Sequence, residues 1–191
     1  MQQEQSKPAT VEVIPITHAT AILKWGSEVV SIDPTGGAEA FEGQPTPTIV
    51  LVTDNHSDHM NADTLKAVLG EATLIAPQIV KDELPAELGA KVKVMKNGEM
   101  INEKGIQITA TPMYNLPESD NAFHVKGRGN GYVLEKDSFR VYIAGDTQGI
   151  PEMRALREID IAFVPMNLPY TMSVEEAAEA AELVEQAEAE K

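Results

Sequence analysis

Between Val11 and Pro34, short runs of alternating apolar and polar residues, "VEVIPI", "ATAILKW" and "EVVSID", predict a β-meander, with a turn at Gly26-Ser27 between the second and third strands. Residues 36–48, "GGAEAFEGQPTPT", are rich in Gly, Pro and Thr and read as a surface loop. "IVLVT", residues 49–53, is a continuous apolar run suited to a strand buried on both faces. The period then lengthens. "NADTLKAVLG" predicts a short helix capped by Asn61 or Asp63 and stopped by Gly70, "ATLIAP" a strand, and "QIVKDELPAELG" a helix broken near Pro85.

Further on, "KVKVM" and "GIQITATPM" flank a turn at Lys96-Asn97-Gly98 and alternate like two paired strands. Residues 129–146 predict a hairpin turning at Lys136-Asp137-Ser138, and "IDIAFVP", residues 159–165, is one more apolar strand. The final segment carries a capping box, Ser173 with Glu176, and reads as a helix with a thin apolar face of Val174, Ala177, Ala178, Ala181, Leu183 and Val184, acidic and frayed beyond Val184.

The 191 residues are expected to form a disordered N-terminal tail, 1–10, and a single domain, 11–191. No stretch approaches the roughly 20 apolar residues that span a bilayer, so a soluble chain is expected. The polar opening is read as the start of an exported mature chain, which favours the periplasm or secretion over the cytoplasm. With 30 acidic against 15 basic residues, the charge of −15 opposes nucleic acid and anionic membrane as partners. Cysteine is absent, so any metal falls to His, Asp, Glu or Asn.

Two of the four histidines lie in "LVTDNHSDHM", directly behind the apolar run. A loop leaving a strand end splays successive side chains around a point, so His56, Asp58 and His59 can converge on a cation, and imidazole with carboxylate suits Zn²⁺, Mn²⁺ or Fe. The same residues also suit a polar turn with Asp58 as helix cap. Asp146 in "IAGDT" likewise ends an apolar strand; it bridges ions or forms an Asx-turn with Gln148. "KGRGNGYV" precedes a strand where a phosphate loop precedes a helix, so its glycines are read as allowing close backbone approach near the site. Tyr114 and Tyr170 suit a pocket or a core equally well.

"TDNHSDH" resembles the HxHxDH signature of metallo-β-lactamase-fold hydrolases. "YIAGDTQGIPEMRAL" and "IDIAFVPMNLPYTMSVEEAAEAAE" are similar to the UlaG-like branch of that superfamily, and the resemblance runs from about Val11 to the last helix. It implies an αββα sandwich, α+β in class, with one or two divalent ions, Zn²⁺ first and Mn²⁺ or Fe²⁺ as alternatives, at a sheet edge. By position, His56 would serve the first metal, Asp58 and His59 the second, and Asp146 both. His124, in a segment similar to "FHPKG", would be a further ligand, although a surface-loop histidine is the plainer reading. Asp54 stands where the signature has its first histidine, either as a ligand or as hydrogen-bond acceptor from a ligand histidine. His18, Asn115 and Lys126 are expected around the pocket, His18 alternatively as a purely structural residue.

The implied activity is hydrolysis of a small-molecule ester, lactone or phosphodiester by a metal-activated hydroxide, with Asp58 and Asp146 as catalytic carboxylates. The alternative is an impaired scaffold that binds metal or a partner without turnover. No histidine follows His124, where the resemblance implies a last ligand on a further strand, so the fold is expected to be C-terminally incomplete. The edge left open would invite a homo-oligomer.

Overall fold

A computed structural model describes residues 10–189, with side chains through Glu182. Residues 1–9 of the expected tail, and the face expected at Leu183 and Val184, lie outside the described residues and side chains.

Two sheets face each other. The first runs β1 (Val11–Thr17), β2 (Thr20–Trp25), β3 (Glu28–Ile32), β4 (Ile49–Leu51), β5 (Thr73–Ala76) and β6 (Val92–Val94) in spatial order. The second, from β7 (Met100–Glu103), β8 (Ile106–Thr111), β9 (Gly131–Lys136), β10 (Phe139–Ile143) and β11 (Ile161–Phe163), has the order β11-β10-β9-β8-β7. Helices α1 (Ala62–Val68), α2 (Gln78–Glu83) and α3 (Ala86–Gly89) cover one outer face, and α4 (Pro151–Arg154) and α5 (Val174–Ala189) the other. The result is the expected αββα sandwich.

Strand alternation explains the layers. In the run 49–52, Ile49 and Leu51 enter the core between the sheets while Val50 and Val52 meet α1 to α3. Tyr132 and Leu134 of β9 and Val141 and Ile143 of β10 point into the same core, whereas Val133 and Tyr142 pack beneath α4 and α5. The predicted hairpin is present, with Asp137 and Ser138 both at positive φ (51° and 64°), as a two-residue turn requires.

Two expectations are corrected. "KVKVM" and "GIQITATPM" do not pair: β6 lies parallel to β5 in the first sheet, and β8 pairs with β7 and β9 in the second. Lys96-Asn97-Gly98 is therefore a crossing between sheets, which alternation alone cannot distinguish from a hairpin. Among the described side chains of α5 the buried ones are Ala177 and Ala180; Val174 is 63% exposed and Ala178 is also exposed. The helix approaches Met153 and Tyr142 on small side chains, which turns its stripe away from the larger ones.

The helix signals hold. Ser173 N donates to Glu176 Oε2 (2.8 Å) and Glu176 N to Ser173 Oγ (3.1 Å). Asn61 Oδ1 accepts from Thr64 N (2.9 Å), anchoring the helix that follows the histidine-bearing loop. Asn61→Ala is expected to lower stability by about 1 kcal/mol, read as a reduced denaturant midpoint with unchanged slope.

Candidate metal centre

Strands β3, β4 and β5 run parallel, as do β10 and β11, so their C-terminal ends open onto one edge of the sandwich. Asp33 follows β3, residues 53–59 follow β4 and Asp146 follows β10. Gly145 permits the last approach: its φ is +64°, and a Cβ there would lie 2.6 Å from Met113 Sδ. Gly129 of "KGRGNGYV" has the same function, since a Cβ would lie 2.9 Å from Thr53 O. The expectation of close backbone packing near the site is met.

The predicted residues gather in two groups. In each of Asp54–His56–His124 and Asp58–His59–Asp146, one ligand atom per residue lies within 4.8 Å of the others. Asp146 Oδ2 joins the groups, 3.3 Å from both His59 Nε2 and His124 Nε2. Asp58 Oδ2 is 3.8 Å from His59 Nε2, and Asp54 Oδ2 is 3.2 Å from His56 Nδ1. The donor set fits a divalent cation: His59 Nε2 is buried without a well-aligned hydrogen-bond partner and faces two carboxylates.

The charges are polarised. Burial opposes protonation of His59, but Asp33 and Asp146 outweigh it and raise its pKa to about 11 in the absence of metal. Burial would likewise raise Asp146, yet the imidazoles of His124 and His59 hold it well below the usual carboxylate range.

The surrounding residues divide differently from expectation. His18, at a φ of 44°, brings Nε2 to 3.1 Å from Asp58 Oδ2 and lines the cleft. Asn115 braces the loop bearing His124: its Oδ1 accepts from His124 N (2.8 Å), its N donates to His124 O (3.0 Å), and its Nδ2 donates to Tyr170 O (2.8 Å). Lys126 is a correction. It lies away from both metal-type groups, paired with Glu118 (2.9 Å) and Glu152 (3.5 Å) above the Tyr114 ring, because those carboxylates offer its ammonium a nearer partner. Tyr114 is a core residue, while Tyr170 stacks edge-on against Phe123 at the cleft.

Sequence reasoning missed two residues. Asp33 accepts from Thr53 N (2.7 Å), from Thr53 Oγ1 (2.7 Å) and from His59 Nδ1 (2.8 Å), which directs Nε2 of that ring toward Asp146. Its signal was present, since "EVVSID" ends an apolar strand in a carboxylate just as "VYIAGD" does. Arg128 donates through Nη2 to Asp54 Oδ2 (2.8 Å) and through Nε to Asp54 Oδ1 (3.3 Å). No spacing in the sequence announces that pair.

Two clefts, of about 270 and 430 Å³, meet at Asp146 and Asn167. Phe123, Met166, Leu168 and Tyr170, all 44–61% exposed, make the surrounding surface apolar.

A fold of two facing sheets with His and Asp collected at one edge defines a class, and the comparisons agree: the model of the beta-lactamase superfamily domain matches residues 12–187. The chain belongs to this superfamily, among its metal-dependent hydrolases with the metallo-β-lactamase fold. A UPF0173 metal-dependent hydrolase of Methanoregula boonei is 34% identical over 176 residues, 87% of this chain and 74% of that protein. A crystal structure of a metal-dependent hydrolase from Parabacteroides distasonis is 34% identical with a TM-score of 0.79, over 92% of this chain and 83% of the other. The metallo hydrolase Igni18 of Ignicoccus hospitalis shares the fold at 22% identity, with a TM-score of 0.72 over 91% and 78%. Among the described residues no helix is long and apolar enough to cross a membrane.

Proposed function

We propose that this chain hydrolyses a small, uncharged ester or lactone with an apolar substituent, using divalent metal held by residues drawn from Asp54, His56, Asp58, His59, His124 and Asp146. Zn²⁺ is the first candidate, with Mn²⁺ and Fe²⁺ as alternatives. The observation that carries the reading is the meeting of two His/Asp groups at Asp146, where a buried imidazole nitrogen lacks a well-aligned partner.

A bound ion supplies Lewis acidity toward a carbonyl oxygen and brings the pKa of water toward about 7. The chain's own residues supply the rest. Asp33 fixes the His59 ring, and Asp146 accepts a hydrogen bond from the attacking water and orients it. Asp58 has a side chain 44% exposed at the mouth and takes up the proton, and His18, 3.1 Å away, passes it to solvent. Phe123, Tyr170, Met166 and Leu168 seat the apolar part of the substrate and exclude water.

An anionic phosphodiester is the weaker substrate. Neither Lys nor Arg is among the described residues lining the clefts, and the net charge of −15 repels anions. The same charge argues against nucleic acid as a partner.

Protein purified without chelator is expected to contain at least one equivalent of Zn, Mn or Fe by elemental analysis. It should hydrolyse members of an ester and lactone panel in preference to a phosphodiester, lose that activity to a chelator and regain it on metal addition. Metal-free protein that takes up no ion on titration would end the proposal.

A further inference from the structure

Asp54 and His56 already have a cation between them. Arg128 Nη2 lies 2.8 Å from Asp54 Oδ2 and 3.4 Å from His56 Nε2, and Arg128 Nε reaches the other Asp54 oxygen. Asp54 is fully buried, so this fork neutralises the one carboxylate of the group where no water can share the work. The same Nη2 donates to Phe123 O at 2.8 Å, which pins the arginine to the loop carrying His124. A guanidinium does not lose its proton at any working pH, so the charge is permanent. The second group holds no guanidinium or ammonium: among the described residues the Asp58 and Asp146 carboxylates are paired only with imidazoles, and His59, whose Nδ1 is taken by Asp33, has an Nε2 without a well-aligned partner.

We propose that Arg128 is the built-in cation of the Asp54–His56–His124 group, so that the centre holds one divalent ion tightly, at Asp58, His59 and Asp146, and is a one-metal, one-arginine site. The inference rests on the metal-hydrolase reading and deepens it. A second ion at Asp54 and His56 would have to displace the Arg128 hydrogen bonds to those two residues or sit against a guanidinium beside a fully buried carboxylate, and like charges so placed repel. Arg128 is then a positioning residue. It holds the Asp54 carboxylate and the loop bearing His124 in place without touching the reacting atoms.

The test is metal stoichiometry. Chelator-stripped wild-type protein is titrated with Zn²⁺ by calorimetry, and with Mn²⁺ followed by electron paramagnetic resonance. One tight equivalent is expected, with the spectrum of an isolated ion and any second equivalent at least about 100-fold weaker. Arg128→Gln should open the first group, so that the second equivalent tightens by about 10-fold or more and the Mn²⁺ spectrum shows coupled ions. Asp54→Asn should keep the first equivalent. Wild-type protein that binds two ions of similar affinity overturns the inference while leaving the hydrolase reading intact, and so does loss of the single ion in Asp54→Asn. A folded Arg128→Gln protein that still takes only one ion equally refutes the role given to Arg128. Should that variant not fold, the wild-type titration and Asp54→Asn decide. No uptake at all by the wild type would instead remove the metal reading itself.

Discussion

Asp146→Asn is expected to cut hydrolysis by roughly 10²–10³-fold and to lower the metal content of protein purified without chelator. The amide preserves size and leaves the fold in place, but it removes the one carboxylate that lies 3.3 Å from both His59 Nε2 and His124 Nε2. Those imidazoles presently stabilise its charge, which is why its pKa is held so low. The amide can neither offer the ion a charged oxygen ligand nor accept as strongly from the attacking water. Steady-state kinetics on the best panel substrate and elemental analysis are read together, with circular dichroism as the check on folding. A variant with normal metal content and activity within about twofold of wild type would place the chemistry elsewhere.

The largest effect on stability is expected from Asp33→Ala. Its two oxygens satisfy the Thr53 amide, the Thr53 hydroxyl and His59 Nδ1 in a fully buried pocket, so truncation removes the acceptor of three donors, one of them a protonated imidazole. Loss of a buried charged partner of this kind costs about 3–5 kcal/mol. Metal affinity should fall by roughly 10–100-fold as well, because the His59 ring is no longer held in one tautomer and orientation. Denaturant unfolding and a competitive chelator titration measure the two effects separately.

The same pair sets a pH dependence. In metal-free protein the pKa of His59 is raised from 6.5 to about 11, so the folded state binds this proton more tightly than the unfolded chain. The resulting stabilisation is complete below about pH 6.5 and is lost as pH rises toward 11. Removing Asp33 should flatten that decline. Unfolding midpoints that do not fall across this window in the wild type would contradict the pairing.

The individual strands and helices were legible because each leaves a local trace, whereas their stacking as a sandwich was implied by the family resemblance alone. Period-two runs bury alternate residues in different layers, as Ile49 and Val50 do, and Asn61 and Ser173 announce helix starts through backbone bonds made within three residues. Strand partnership leaves no such trace. "KVKVM" reads as a hairpin arm, but its hydrogen bonds run to β5, because a strand's pairing depends on which edge is free when the sheets assemble. The stripe of α5 was misplaced for a similar reason, since the depth available against Met153 and Tyr142 selected Ala177 and Ala180 over Val174.

The site shows the same division. The amino-acid sequence by itself determined which residue types are available for chemistry: no cysteine, four histidines, and carboxylates at the ends of apolar strands. It also placed His56, Asp58 and His59 on one loop, where short-range geometry guarantees that they lie close together. The resemblance already pointed to Asp146 between the two groups, but only the tertiary structure decided that Lys126 turns away to Glu118, that Asp33 sits behind His59, and that Arg128 occupies Asp54 from 74 residues along the chain. The reason is physical. A ligand loop is fixed by neighbouring dihedrals, whereas the charge that balances a buried carboxylate is fixed by which distant backbone the packed sheets bring beside it.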